Sequence, residues 1–325
     1  MKPVMKKTFL GAILGTALSI LATVAVAQDT FPIRPITIVV PFGAGSGSDI
    51  GARLIGQKLG ESMGQAIVID NRPGANGSIA ATYVAKAKPD GYTLFVGTNS
   101  THGANPGLMK DMRYDPIKDF APVNRIAIYT SIIVVNPSVP VRNMRELLAL
   151  GKTQELTLAT GNASGVVQSE TLARYAKWKP LLRVAFKSNP QAMTEVMAGR
   201  VQLMFSDIAA AKEQVKAGSL KALAVTSRER SALMPDLPTF IESGVPDYDL
   251  SGWISLFAPA GTPGAIVSRL NAEVTRALNA PDVRGKFLDL GAEPSPMTVS
   301  QFTSWVQHEV TTWTRLVKEA GIEPE

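Results

Sequence analysis

The feature that most restricts how this chain can fold is an alternation of short Val- and Ile-rich runs with helix-length segments along most of its length. Residues 36–40, 66–69 and 93–96 read as strands, separated by helical patterns at 50–63 and 79–87. Alternation of this kind predicts a parallel α/β sheet, because each crossover between parallel strands needs a covering helix. A second series, with strands at 132–135, 156–159, 182–185, 203–205 and 220–225, predicts a second α/β lobe. A buried strand at 253–258 and a helix at 263–278, opened by Pro263, then return the chain to the first lobe. The last helix, 299–320, carries Phe302, Trp305, Val306, Val310, Trp313, Leu316 and Val317 at three- and four-residue spacings and ends at Gly321. That makes one apolar stripe, which reads as a core face rather than a ligand box.

The N-terminus sets the compartment. Lys2, Lys6 and Lys7 precede an apolar run, residues 9–26, that closes on Ala25-Val26-Ala27, the pattern of a secretory signal peptide. The basic start stays on the cytoplasmic side, and the small Ala25 and Ala27 suit the narrow subsites of the peptidase. Cleavage after Ala27 would leave Gln28 as the new N-terminus. An uncleaved anchor is the other reading, since the run approaches the roughly 17-residue lower limit for a membrane span. Without the signal, roughly 300 of the 325 residues remain, a length at which chains usually divide into two domains. The signal also takes three lysines with it and so halves the formal net charge of +6, leaving no electrostatic case for nucleic acid as a partner. The chain has no Cys, which excludes disulfides, thiolate metal sites and a lipid-bearing cysteine. The expected product is a periplasmic monomer.

The most informative segment, Pro41-Phe42-Gly43-Ala44-Gly45-Ser46-Gly47-Ser48-Asp49, links the first strand to the first helix. Glycines let backbone amides approach a ligand closely, and the helix start adds its positive dipole end, so an anion is the expected guest. Ser48 or Asp49 can cap the helix beginning near Ile50, and Asp49 reads as structural or as a ligand contact. Gly43 and Gly45 also fit the start of a dinucleotide fingerprint, with Asp70 where a ribose-binding acid would sit, which keeps an exported NAD-dependent enzyme as a rival. Ser48 stands at its third glycine, and no Gly-Lys-Ser/Thr follows to make a phosphate loop. There is no G-x-S-x-G and no H-E-x-x-H, and the only histidines are His102 and His308. His308 falls on the polar side of the last helix. His102, after Thr98-Asn99-Ser100-Thr101, either orders its loop or faces the cleft at the strand ends. The chain is therefore expected to bind without catalysis and without a cofactor or metal.

In the second lobe, Gly161-Asn162-Ala163-Ser164-Gly165 repeats the design of the first loop. Two such loops facing each other could grip opposite ends of one small anion. Asp207, just past the strand at 203–205, either caps a helix or accepts a hydrogen bond from an ammonium or hydroxyl on the solute. None of these loops carries Arg or Lys, so a carboxylate would be held by neutral donors.

With those residues in view, the chain resembles the solute receptors of the tripartite tricarboxylate transporter system, the TctC-like or Bug family. The likeness spans nearly the whole mature chain. It rests on Ile38-Val39-Val40-Pro41-Phe42 with the glycine loop, Asn71-Arg72-Pro73-Gly74-Ala75, Lys88-Pro89-Asp90-Gly91-Tyr92, Tyr114-Asp115-Pro116, Leu237-Pro238-Thr239 and Ala258-Pro259-Ala260-Gly261-Thr262-Pro263. The resemblance implies two Rossmann-like lobes joined by crossing segments and closing like a type II flytrap, lobe 1 being 28–129 with 252–325 and lobe 2 being 130–251. It also implies a ligand carboxylate held by Ala44, Gly45, Ser46, Ser48 and Asp49, with Thr98 and Asn99 beside them and Asn162, Ala163 and Ser164 opposite. Gly43 and Ser46 depart from the usual Phe-Pro-Ala-Gly-Gly loop, Gly165-Val166-Val167-Gln168 lacks the usual His, and Phe186 replaces a common Tyr. The implied function is delivery of an organic, amino or aromatic acid to membrane permease subunits, with signalling to a membrane sensor as the alternative.

Overall fold

The first strand, β1 (Ile36–Val40), is a run of β-branched residues buried at every position except the half-buried Thr37, as suits a central strand of a covered sheet. In this computed structural model residues 31–324 are described, except 247 and 249. The segment expected to be a signal peptide, residues 1–27, lies outside the described residues. Arg34–Glu325 form one compact unit.

After β1 come α1 (Gly47–Met63), β2 (Ile67–Asn71), α2 (Ser78–Ala85) and β3 (Thr93–Thr98), with β2 and β3 both parallel to β1. A wide helical turn, Asn99–Ala104, follows β3 and leads through Asn105–Leu108 to β4 (Phe120–Tyr129). One residue later the chain starts β5 (Ser131–Val135), which belongs to a different sheet. That sheet is completed by α3 (Met144–Thr153), β6 (Thr157–Thr160), α4 (Ala163–Ala176), β7 (Leu182–Ala185), α5 (Asn189–Met197), β8 (Leu203–Asp207), α6 (Ile208–Lys216) and β9 (Lys221–Val225). The chain then returns through β10 (Gly252–Pro259), α7 (Gly264–Asn279), α8 (Pro281–Asp289), β11 (Ala292–Pro294) and α9 (Val299–Glu319).

The six-stranded sheet has the order β11-β4-β10-β3-β1-β2 and the five-stranded sheet the order β7-β6-β8-β5-β9. Neither is wholly parallel. β10 runs antiparallel to both β3 and β4, and β5 antiparallel to both β8 and β9. The reversals fall on strands next to the two connections between sheets, where the chain enters or leaves without a crossover helix to turn it round.

β4 has no counterpart in the expected strands because Pro122, Asn124 and Arg125 interrupt its apolar pattern. The structure accounts for the buried polar one. Asn124 donates to Asn271 O at 3.1 Å and Thr275 Oγ1 at 2.8 Å on α7, and accepts from Met297 N at 2.9 Å. On α9 the stripe is core as expected, with Phe302, Val306, Trp313 and Val317 buried, and His308 exposed. A reciprocal Thr298/Gln301 cap begins that helix.

One glycine shows how tightly the second sheet's helices meet. A Cβ placed on Gly161, at the end of β6, would overlap the backbone nitrogen of Asn189 and the side-chain oxygen of the same residue at the start of α5. Backbone cannot step aside as a side chain can. Gly161→Ala should therefore cost about 1–3 kcal/mol, the usual penalty of forced overpacking, measured as a lower urea midpoint with an unchanged slope; an unaltered midpoint would show that α5 shifts freely.

Candidate functional site

Helix N-termini carry unpaired backbone amides and a partial positive charge, and this fold turns several of them toward one place. Between the two sheets lies a cavity of about 50 Å³ lined by the starts of α1, the 99–104 turn, α4 and α5, with Asp207 at the start of α6. Each of these segments follows the C-terminal end of a strand, the usual place for ligand sites in α/β folds. Tyr129 and the strand start Gly252–Ile254 close the remaining wall. Among the described residues, no Lys or Arg lines it.

The donors are specific. Ser46 caps α1, its Oγ accepting from Asp49 N at 3.3 Å and bonding Ser48 Oγ at 3.1 Å. The helix thus starts at Gly47, three residues before the expected Ile50, and its side-chain cap is neither Ser48 nor Asp49. In the turn after β3, Thr98 and Thr101 cap reciprocally. This holds Asn99 with its Oδ1 on Trp253 N at 3.3 Å and its buried Nδ2 without a partner. Asn162 Oδ1 caps α4 through Gly165 N at 2.8 Å. Across the cleft, Ser100 Oγ and Ser164 Oγ bond at 2.7 Å, and Ser164 N donates to Ser100 Oγ at 3.2 Å.

Comparison with known proteins bears on this arrangement. The Tripartite tricarboxylate transporter family receptor pattern matches residues 51–322. The protein BugT of Bordetella pertussis is 31% identical over 98% of this chain and 99% of its own. Among solved structures, R. palustris Rpa4515 with adipate superposes with a TM-score of 0.88 at 35% identity, covering 91% of this chain and 100% of that one. MatC from Rhodopseudomonas palustris with bound malate gives 0.82 at 35% identity, over 88% and 100%. This chain belongs to the tripartite tricarboxylate transporter receptor family. Its architecture is the two-lobed periplasmic-binding-protein fold.

Of the residues expected to contact ligand in this family member, Ser46, Ser48, Thr98, Asn99, Asn162 and Asp207 are brought together around the cavity. Ala44 and Gly45 are exposed on the loop before α1. Ala163 is buried against Trp313 and Val317, and Phe186 packs on the apolar face of the second sheet. Asp49 is spent within its own lobe: it accepts from Gly45 N at 3.0 Å, Arg53 Nε at 3.1 Å and Asn71 Nδ2 at 3.0 Å. Burial pushes its carboxyl up, but these bonds and the Arg53 charge together hold it below the ordinary range. Residues with no local signal also reach the cavity, among them Tyr129 and Gly252. Ser100 and Asn189 do too, and Asn189 had a signal: Ser188-Asn189-Pro190 has the pattern of a helix start.

His102 faces away from the cleft, stacked on Phe257 at 4.1 Å and tilted against Phe120 at 5.0 Å. Burial alone brings its pKa down to about 3, so the ring is neutral. No group of three or more His, Asp or Glu among the described residues is placed to hold a metal ion.

Among the described residues, Asp207 is the one ionisable carboxylate in the cavity wall. It stands at the start of α6 without capping it. Instead it lies against the first residue of α1 of the other sheet, where the Gly47 backbone amide favours its charged form. A Cβ on Gly47 would come within 2.8 Å of Asp207 Oδ2. The carbonyl of the same glycine accepts from Tyr129 Oη at 3.0 Å. Burial pushes the Asp207 carboxyl up to about 6, and the Gly47 amide pulls it only part of the way back.

A raised carboxyl pKa means that the folded protein holds a proton the unfolded chain has lost. Between pH about 4 and 6 this group's contribution to stability therefore falls as pH rises, and it stays low above that window. Asp207→Asn keeps the acceptor for Gly47 and removes the charge. Its stabilising effect should grow from pH 4 to pH 7.5, by at most about 3 kcal/mol and less where solvent screens the group. Thermal unfolding of both proteins across that range tests this, and a pH-independent difference would refute it.

Proposed function

We propose that this chain is a periplasmic receptor that captures a small carboxylate and delivers it to the membrane permease subunits of a tripartite tricarboxylate transporter. The observation that carries the reading is the convergence of helix N-termini on a cavity that contains no Lys or Arg. Such a site favours an anion through oriented amides and dipoles rather than through a salt bridge. Relatives of similar length whose structures hold adipate and malate support a carboxylate as the guest. Ser48, Asn99 and Asn162 are the donors assigned to it. Each hydrogen bond to a charged group contributes roughly 1.5–3 kcal/mol, so three offset the desolvation of one carboxylate.

The sheet membership of the strands supports lobes of 28–129 with 252–325 and of 130–251, joined at Thr130 and through 226–251. Export rests on the residue 1–27 signal, and no helix among the described residues is long and apolar enough to cross a membrane. Protein recovered from a periplasmic fraction should begin at Gln28 on N-terminal sequencing; retention of Met1 would replace the cleaved signal with an anchor.

The carboxylate assignment is tested at Asn99. Asn99→Asp preserves the oxygen that accepts from Trp253 N and exchanges the free donor for negative charge. Calorimetry with whichever organic acid most raises the unfolding temperature in a screen should show affinity weakened about 100-fold. Raising NaCl tenfold should weaken wild-type binding by no more than about twofold, because no exposed cation makes the contact. Full affinity in the variant would remove Asn99 from the site, and a steep salt dependence would require a basic clamp elsewhere.

A further inference from the structure

We propose that Asp207 selects for a solute bearing a hydrogen-bond donor, an ammonium or a hydroxyl, on the carbon next to its carboxylate. This deepens the carboxylate reading and rests on it.

The argument begins with what the site already holds. An anion-binding cavity built from helix N-termini would be expected to hold no acid, yet a carboxylate of the protein itself lies against the first residue of α1, where a Cβ on Gly47 would come within 2.8 Å of Asp207 Oδ2. Among the described residues Asp207 has no cation to balance it: the wall contains no Lys or Arg, and Arg53, the cation on α1 nearest in sequence, is committed to Asp49 at 3.0 Å. Tyr129, the other titratable group facing it, has its hydroxyl on Gly47 O. A simple carboxylate entering here would set two anions side by side in a partly buried place, which is unfavourable unless one of them is protonated.

A donor on the solute removes that conflict. Asp207 lies against Gly47, and the amide that follows, Ser48 N–H, is one of the first-turn groups that have no partner inside the helix. Asn99 Nδ2 is a second donor in the same wall without a partner. Adjacent residues of the first turn thus offer one position that faces an acid and one open donor. A carboxylate on Ser48 and Asn99 leaves the neighbouring carbon beside Asp207, where an ammonium or hydroxyl replaces repulsion with a charge-assisted bond. At pH 7.5 Asp207 is ionised and ready to accept it.

Two series of acids that differ at one carbon test the assignment by calorimetry at pH 7.5: propionate, lactate and alanine, and succinate, malate and aspartate. In at least one series the hydroxy or amino acid should bind wild-type protein at least tenfold more tightly than its plain parent. Preference for the amino acid identifies the donor as an ammonium, and preference for the hydroxy acid as a hydroxyl. Asp207→Asn should bring the members of that series within about threefold by strengthening the parent and weakening the other. Equal or tighter binding of both plain acids to the wild type overturns the proposal and leaves the carboxylate reading standing. The same holds if the preference persists unchanged in Asp207→Asn. Absence of binding by every acid, in these series and in a wider organic-acid screen, overturns both.

Discussion

Gly47 is held from two sides, with the Asp207 carboxylate of the five-stranded sheet lying against it and its C=O accepting from Tyr129 Oη at the end of β4. Much of the site's geometry follows from that grip. A Cβ at 47 would push the Asp207 carboxylate aside, and the contact places the first turn of α1 directly against the facing lobe. It also gives the converging helix dipoles a counter-charge supplied by the protein. The Tyr129 hydroxyl, its pKa raised by burial and by the charge of Asp207, stays protonated and donates through the whole physiological range.

The grip explains how a site can favour anions and still contain an acid. Each helix start supplies partial charge spread over several amides, and several starts meet at one cavity. One carboxylate leaves part of that field unspent, and the unpartnered amide of Asn99 marks where. The Ser100–Ser164 pair does something different. Its hydroxyls and the Ser164 amide satisfy one another across the cleft, so it sets the approach of the two lobes without competing for the solute.

What could be read from the sequence divides along the same physical line. The glycine loop and Gly161-Asn162 were legible because each announces itself locally, as a strand end, a flexible turn and a helix start within a few residues. Ser46 was legible as part of that loop, but its role as the cap was not. The choice among Ser46, Ser48 and Asp49 depends on where Asp49's carboxylate goes, and that is decided by Arg53 and by Asn71 on a neighbouring strand. Tyr129 and Gly252 were invisible because they reach the cavity only through the reversal of strands at the crossings. Asp207 was found as a residue, while its partner on the other lobe was not. A carboxylate at a strand end gives no hint that the helix start it will lie against is 160 residues earlier in the chain.

α9 links the site to the rest of the protein. Its first half, with Phe302 and Val306, packs in the aromatic core of the six-stranded sheet beside Phe257. Its second half leaves that core: Trp313 and Val317 are buried with Ala104 and Leu108 after the β3 turn and with Ala163 and Val167 at the start of α4. The turn that carries Asn99 and the helix start that carries Asn162 therefore rest on the same two side chains. Between the two halves, Glu309 accepts from the indoles of Trp253 at 2.8 Å and Trp313 at 3.1 Å, and burial raises its pKa against the pull of those bonds. Trp253 is itself in the cavity wall, with its backbone amide on Asn99. Any movement of α4 away from the first lobe must strip the Trp313 and Val317 contacts before it reaches the cleft. The apolar stripe read from the sequence as plain core is thus also the brace that keeps the two halves of the site in register.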